Sequence, residues 1–132
     1  MNLSTSRYQA KDLILESGAI AVGITVYPPR WPVGYPVLRR SELAPSQGLL
    51  AMARAKTIAP EDFEREYLAQ LDAIGVDGIR QILEEVGGDM VLLCYENVVK
   101  GERCHRRMFA AWWEKQTGEE VPELAPAQQE LL

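Results

Sequence analysis

Apolar residues fall along this chain in short unbroken runs separated by stretches of helical spacing. Met90 to Tyr95 (MVLLCY) is a continuous apolar run with the length and composition of a buried strand. Ala19 to Val26 (AIAVGITV), short and partly β-branched, reads the same way. Residues 2–6 (NLSTS) give a weaker pattern for a first strand. Leu13 and Ile14 place a short helix between Ala10 and Ser17, with Gly18 as its stop. The stretch YPPRWPVGYP carries four prolines and a glycine, which predicts an irregular loop.

The second half of the chain is helical in period. Pro45 opens a short helix through Leu49, Leu50 and Met52. Pro60-Glu61-Asp62 is a helix start with acids in the first turn. Phe63, Tyr67, Leu68, Leu71 and Ile74 then make one apolar face that Gly75 ends. Ile79, Ile82, Leu83 and Val86 make another, stopped by Gly87-Gly88. A last helix is expected from His105 to Thr117, with Met108, Phe109 and Trp112 inward, Trp113 partly exposed and Gly118 as its stop. The tail, residues 119–132, reads as an extended segment that frays.

Strands alternating with helices predict an α/β fold: a small Rossmann-like domain whose mostly parallel sheet is flanked by helices. With 132 residues and no repeat or linker, one domain over 1–132 is expected. In such sheets the functional loops lie beyond the carboxyl ends of the strands. That rule brings Ser4-Thr5-Ser6-Arg7, Pro29-Arg30-Trp31 and the segment from Cys94 to Arg107 to one edge.

Charge and length limit the function classes. A formal net charge of −5 argues against a broad nucleic-acid-binding face but leaves room for a local basic pocket. No apolar run approaches the roughly 20 residues of a membrane helix. The polar start, MNLSTSRYQAKD, lacks the apolar core of a signal peptide. A cytoplasmic protein without a membrane partner is the resulting expectation. A structural disulfide is unusual there, so Cys94 and Cys104 are read as thiols, thiolates or metal ligands. There is no glycine-rich phosphate loop and no GxGxxG fingerprint, so no cofactor is assigned.

The chemistry-bearing residues crowd together near the last strand. Cys94-Tyr95-Glu96 and Cys104-His105-Arg106-Arg107 hold both cysteines and the only histidine. Three readings stay open. Ser6, Arg30 and Arg106, with the amides of a helix start, suit a phosphate or carboxylate. Glu96 and His105 suit acid/base work, and Cys104, at a helix N-terminus beside arginines, suits a reactive thiol. Zinc accepts Cys94, Glu96, Cys104 and His105 as ligand types, but Cys-x-Glu is not the usual knuckle spacing and adjacent Cys104 and His105 rarely reach one ion. No metal is therefore assigned, and that set stands only as the alternative. Trp31 is expected to pack its proline-rich loop onto the domain.

The pieces TSRY, PRW with a following Gly-Tyr, LAPS, LLCYE and CHRR resemble the uncharacterised DUF488 family in its short form, over about Ser4 to Leu124. The resemblance implies a compact Rossmann-like domain with its Cys-x-Glu and Cys-His-Arg segments at one site, and implies no settled activity. Longer members carry an Asp-Val-Arg segment after an early strand, where this chain reads Ile24-Thr25-Val26 and its arginine arrives at Arg30. The function expected is binding, with hydrolysis or transfer, of a small anionic or nucleotide-like ligand or a nucleic-acid end. The alternatives are a non-enzymatic metal- or redox-binding protein and a plain interaction domain.

Overall fold

The computed structural model describes residues 1–95 and 104–125. Its centre is a four-stranded parallel sheet in the order β1-β4-β2-β3, formed by Leu3–Arg7, Ile20–Gly23, Leu38–Arg39 and Met90–Cys94 in chain order. The protein is thus a small α/β domain, as its alternating pattern predicts. β4 lies between β1 and β2, and all five of its residues are buried. That position explains why its sequence is continuously apolar rather than alternating. β3 has only two residues, Leu38 and Arg39, both exposed, and its period is too short to show in the sequence.

Helices cover both faces of the sheet. α1 (Lys11–Ser17) packs Ile14 with Tyr8, Ala21, Val91 and Leu93 on one face. α2 (Gln47–Arg54), α3 (Pro60–Val86) and α4 (His105–Thr117) bury the other, where Val22, Ile24, Met90 and Leu92 meet Tyr67, Leu71, Ile79, Phe109 and Trp113. Local signals fix the helix ends. The Ser46 hydroxyl accepts from the Leu49 amide at 3.2 Å and caps α2. Gly118 closes α4 in the left-handed conformation. Gly75 stands inside α3 at φ 82° and ψ 159°, so the two apolar faces on either side of it belong to separate helical segments.

Two expectations are corrected here. Trp113 is fully buried instead of partly exposed, because its indole lies parallel to Phe109 and its N–H donates to Glu119 at 2.9 Å. The tail does not fray over residues 119–125. It runs beside β1, where the Thr5 amide donates to the Pro122 carbonyl at 2.9 Å and the Leu124 amide to the Thr5 carbonyl at 2.8 Å. Val121, within this segment, is buried. The exposed edge of a parallel sheet is thereby closed, satisfying backbone groups that would otherwise stay open. Residues 126–132 lie outside the described residues.

Candidate functional site

A cavity of about 570 Å³ opens at the carboxyl ends of β2 and β4. The chain leaving β2 supplies Thr25, Val26 and Tyr27, and Tyr95 follows β4. α4 contributes His105 and Met108, α3 contributes Phe63, and α2 contributes Leu50 and Arg54. The site therefore lies at the sheet edge that the topology rule selects. Its walls are mostly apolar and aromatic, with few polar groups, which is the usual make-up of a small-molecule pocket.

The aromatic rim is held by a hydrogen-bond chain. Tyr8 donates to the Thr25 hydroxyl at 2.7 Å, Thr25 donates to the Tyr27 carbonyl at 2.8 Å, and Tyr95 donates to the same carbonyl at 2.7 Å. Gly23 makes room for this chain, since a side chain there would overlap the Tyr8 hydroxyl. Burial pushes the Tyr8 and Tyr95 phenols above their ordinary pKa, and burial raises Tyr35 to about 12, so all three donate as neutral groups.

His105 is the histidine of the wall. One ring nitrogen, Nε2, lies 2.6 Å from the Ile24 carbonyl, an acceptor, so Nε2 carries the proton and donates. Burial, with the positive charge of Arg106 adding to it, lowers the imidazole pKa to about 4, against the Ile24 hydrogen bond that favours the cation. At neutral pH the ring is uncharged, and Nδ1 keeps a lone pair. Tyr67 meets the ring edge-on at 5.7 Å between centroids.

Around the mouth stand three exposed arginines. Arg39 donates to the Val26 carbonyl at 2.7 Å, and the Arg54 guanidinium lies 5.5 Å from the Tyr27 ring centroid. The charges of Arg39, Arg54 and Arg30 all favour the ionised Tyr95 phenol, opposing the effect of burial. Among the described residues none of the three pairs with a carboxylate. Trp31, exposed in the same loop as Arg30, lies 6.0 Å from Tyr95 between ring centroids.

Next to the cavity the two cysteines are joined. Cys94, the last residue of β4, and Cys104, which precedes α4, form a disulfide, and no described cysteine is free. This corrects the reading of both as thiols or metal ligands. The parallel sheet and the α4 start place them side by side, and their sulfurs bond to each other. Together with a His105 nitrogen their ligand atoms lie within 4.8 Å of one another, so a metal would require the bond to be broken first. Arg106 is fully buried against this pair. Its Nη1 donates to Cys94 Sγ at 3.1 Å and Cys104 Sγ at 3.2 Å, while Nε and Nη2 grip the Glu123 carboxylate at 3.0 and 2.8 Å.

Of the residues singled out in sequence, His105 lines the cavity and Arg30 stands near its rim. Arg106 lies behind the wall with a carboxylate already bound. Ser6 is buried within β1, beside Leu93, and does not line the cavity. Glu96 lies outside the described residues. Sequence reasoning missed Arg39, Arg54, Tyr27, Phe63 and Glu123. Only the pairing of Tyr27 with the proline-rich PRW segment hinted at an aromatic rim.

A family model described as the active DUF488-N3 subclade, DUF488-N3a, matches residues 7–117. The chain belongs to this family. The matched span of the DUF488-N3a domain includes the cavity, the three rim arginines and both cysteines, and leaves Ser6 and Glu123 outside. No curated protein and no solved structure matches the chain. Among the described residues, no helix is long and apolar enough to cross a membrane.

Proposed function

We propose that this DUF488-N3a domain binds a nucleotide-like ligand or nucleic-acid end at the sheet edge, in the cytoplasm, with its ring in the cavity and its phosphate on the rim. One observation carries the reading. In a chain of net charge −5, Arg30, Arg39 and Arg54 gather without carboxylate partners among the described residues, around an aromatic-walled cavity. Rings such as Tyr27 and Tyr95 suit stacking on a base, and guanidinium groups suit phosphate oxygens. The volume of about 570 Å³ fits a ligand of nucleoside size.

In this reading Arg54, Arg39 and Arg30 take the anion-holding role, and Arg106 supports the wall. His105 is the proton acceptor, through Nδ1, for a hydrolysis or transfer at the ligand. The description of the family as the active subclade supports an enzymatic reading over a purely structural one.

Calorimetric titration of adenosine monophosphate and of a 5′-phosphorylated trinucleotide tests this. Saturable binding of one of them is expected, weakened about tenfold or more by Arg54→Ala, since a charge-assisted contact contributes about 1.5–3 kcal/mol. No saturable binding of either probe, or binding indifferent to both Arg54→Ala and Phe63→Ala, would sink the reading.

A further inference from the structure

The segment leaving β2 carries two exposed aromatic side chains, Tyr27 and Trp31, four positions apart. Tyr27 lines the cavity, whereas Trp31 stands outside it, with its ring centroid 6.0 Å from that of Tyr95 in the cavity wall. Other residues hold the proline-rich loop to the domain. Val33, Tyr35 and Val37 pack against the core around Tyr8 and Ile14, and the Tyr35 hydroxyl donates to the Tyr8 carbonyl at 2.7 Å. The Trp31 indole meanwhile stays 40% exposed. Pro28, Pro29 and Pro32 flank it and restrict the backbone that presents it, so a partner stacking there orders little that is free. A large aromatic face held in this way beside an arginine, Arg30, is what sequence-tolerant stacking on a nucleic-acid base requires. The cations are spread along the same path. Arg54 faces the Tyr27 ring at 5.5 Å and Arg39 donates to the Val26 carbonyl, both beside the cavity, while Arg30 adjoins Trp31. A mononucleotide offers one phosphate group to these three guanidinium groups. A strand of two nucleotides with a terminal phosphate offers a second, in the linkage between its sugars.

We infer that Trp31 is the stacking platform of a second subsite, and that the ligand is the end of a single nucleic-acid strand rather than a free mononucleotide. The terminal base occupies the cavity, the next base lies on the Trp31 indole, and Arg30 meets the phosphate between the two. This rests on the reading of the cavity as a nucleotide site and adds to it the length of the ligand. Because stacking uses the face of the base and not its edge, the subsite takes any base at the second position.

The subsite is tested by titrating the full chain with three probes: adenosine monophosphate, a 5′-phosphorylated adenine dinucleotide, and the same dinucleotide with an abasic second position. The dinucleotide is expected to bind about fivefold or more tightly than the abasic probe, which carries the same phosphates but no second base. Trp31→Ala is expected to bring that ratio close to one, and Trp31→Phe, which keeps an aromatic face, to preserve most of it. Circular dichroism of each variant confirms that the fold is intact. Saturable binding of adenosine monophosphate with no gain from the second base overturns the inference and leaves the cavity reading standing. A gain that is equal in the wild type and in Trp31→Ala also overturns it. Failure of all three probes removes the cavity reading and the second subsite with it.

Discussion

Glu123, in the tail, holds Arg106, in α4, through two parallel contacts of 3.0 and 2.8 Å, and so ties the end of the described chain to the sulfur pair. The carboxylate is only partly buried, whereas the guanidinium is fully enclosed. A carboxylate beyond the family match thus meets this buried guanidinium. Arg107, next to it, reaches the Thr5 hydroxyl at 2.7 Å and the Val121 carbonyl at 2.8 Å, fixing the same tail segment to β1.

Removing the carboxylate takes two charge-assisted contacts from a buried guanidinium. Glu123→Ala should cost about 1.5–3 kcal/mol, the usual contribution of hydrogen bonds to charged groups. Glu123→Gln, which keeps one acceptor oxygen, should cost less. Urea unfolding of the two variants against the wild type checks this. A loss below about 1 kcal/mol in Glu123→Ala would mean that this partly exposed carboxylate contributes little.

His105 gives the stability a pH dependence. Its folded pKa, lowered to about 4, lies under the unfolded value near 6.5. Between these values the unfolded chain binds the extra proton and the folded domain does not, so stability rises with pH. Its contribution is complete above about pH 6.5 and falls away toward pH 4, by about 3 kcal/mol in all. Denaturant midpoints at pH 7 and pH 4.5 should differ accordingly, and His105→Gln should flatten the histidine's share. An unchanged slope in that variant would assign the dependence to other groups.

Gly23 should resist even a methyl group. A Cβ there would overlap the Tyr8 hydroxyl and disturb its bond to Thr25, which in turn positions the Tyr27 carbonyl. Gly23→Ala is expected to cost about 1–3 kcal/mol through overpacking. Gly23→Ala together with Tyr8→Phe should recover part of that loss, since the clash is with the hydroxyl oxygen. Thermal unfolding of both variants reads the difference.

What could be read from the sequence was whatever depends on neighbours along the chain. The run at β4, the stop at Gly118, the break at Gly75 and the start of α4 at His105 are all set by local period and local backbone preference. The parallel sheet follows from the alternation of those elements, and a cavity opens at its carboxyl edge. Glu123 gave no such signal, because its partner is seventeen positions away and its segment pairs with β1 at the far end of the chain. Arg39 and Arg54 were silent for a similar reason. Each stands in an unremarkable polar position, and only folding carries both to Tyr27 and Tyr95. The bond between Cys94 and Cys104 was legible as proximity and misread as free sulfur, because the expected compartment weighed against it.

Two glycines with open space around them should respond to the same change with opposite signs. A Cβ at Gly48 or at Gly75 would meet nothing within 4 Å, so packing contributes little at either position. Gly48 lies in the first turn of α2, where alanine loses less backbone freedom on folding. Gly48→Ala should therefore stabilise the domain by about 0.5–1 kcal/mol. Gly75 adopts φ 82° and ψ 159°, a region that side-chain-bearing residues rarely enter. Gly75→Ala should cost about 1–3 kcal/mol unless α3 straightens there. Straightening would redirect the segment that carries Phe63 and Tyr67 relative to the one carrying Ile79 and Leu83, both of which pack into the same core. Chemical denaturation of the two single variants checks the signs, and a stabilising Gly75→Ala would show that the break in α3 carries no strain of its own.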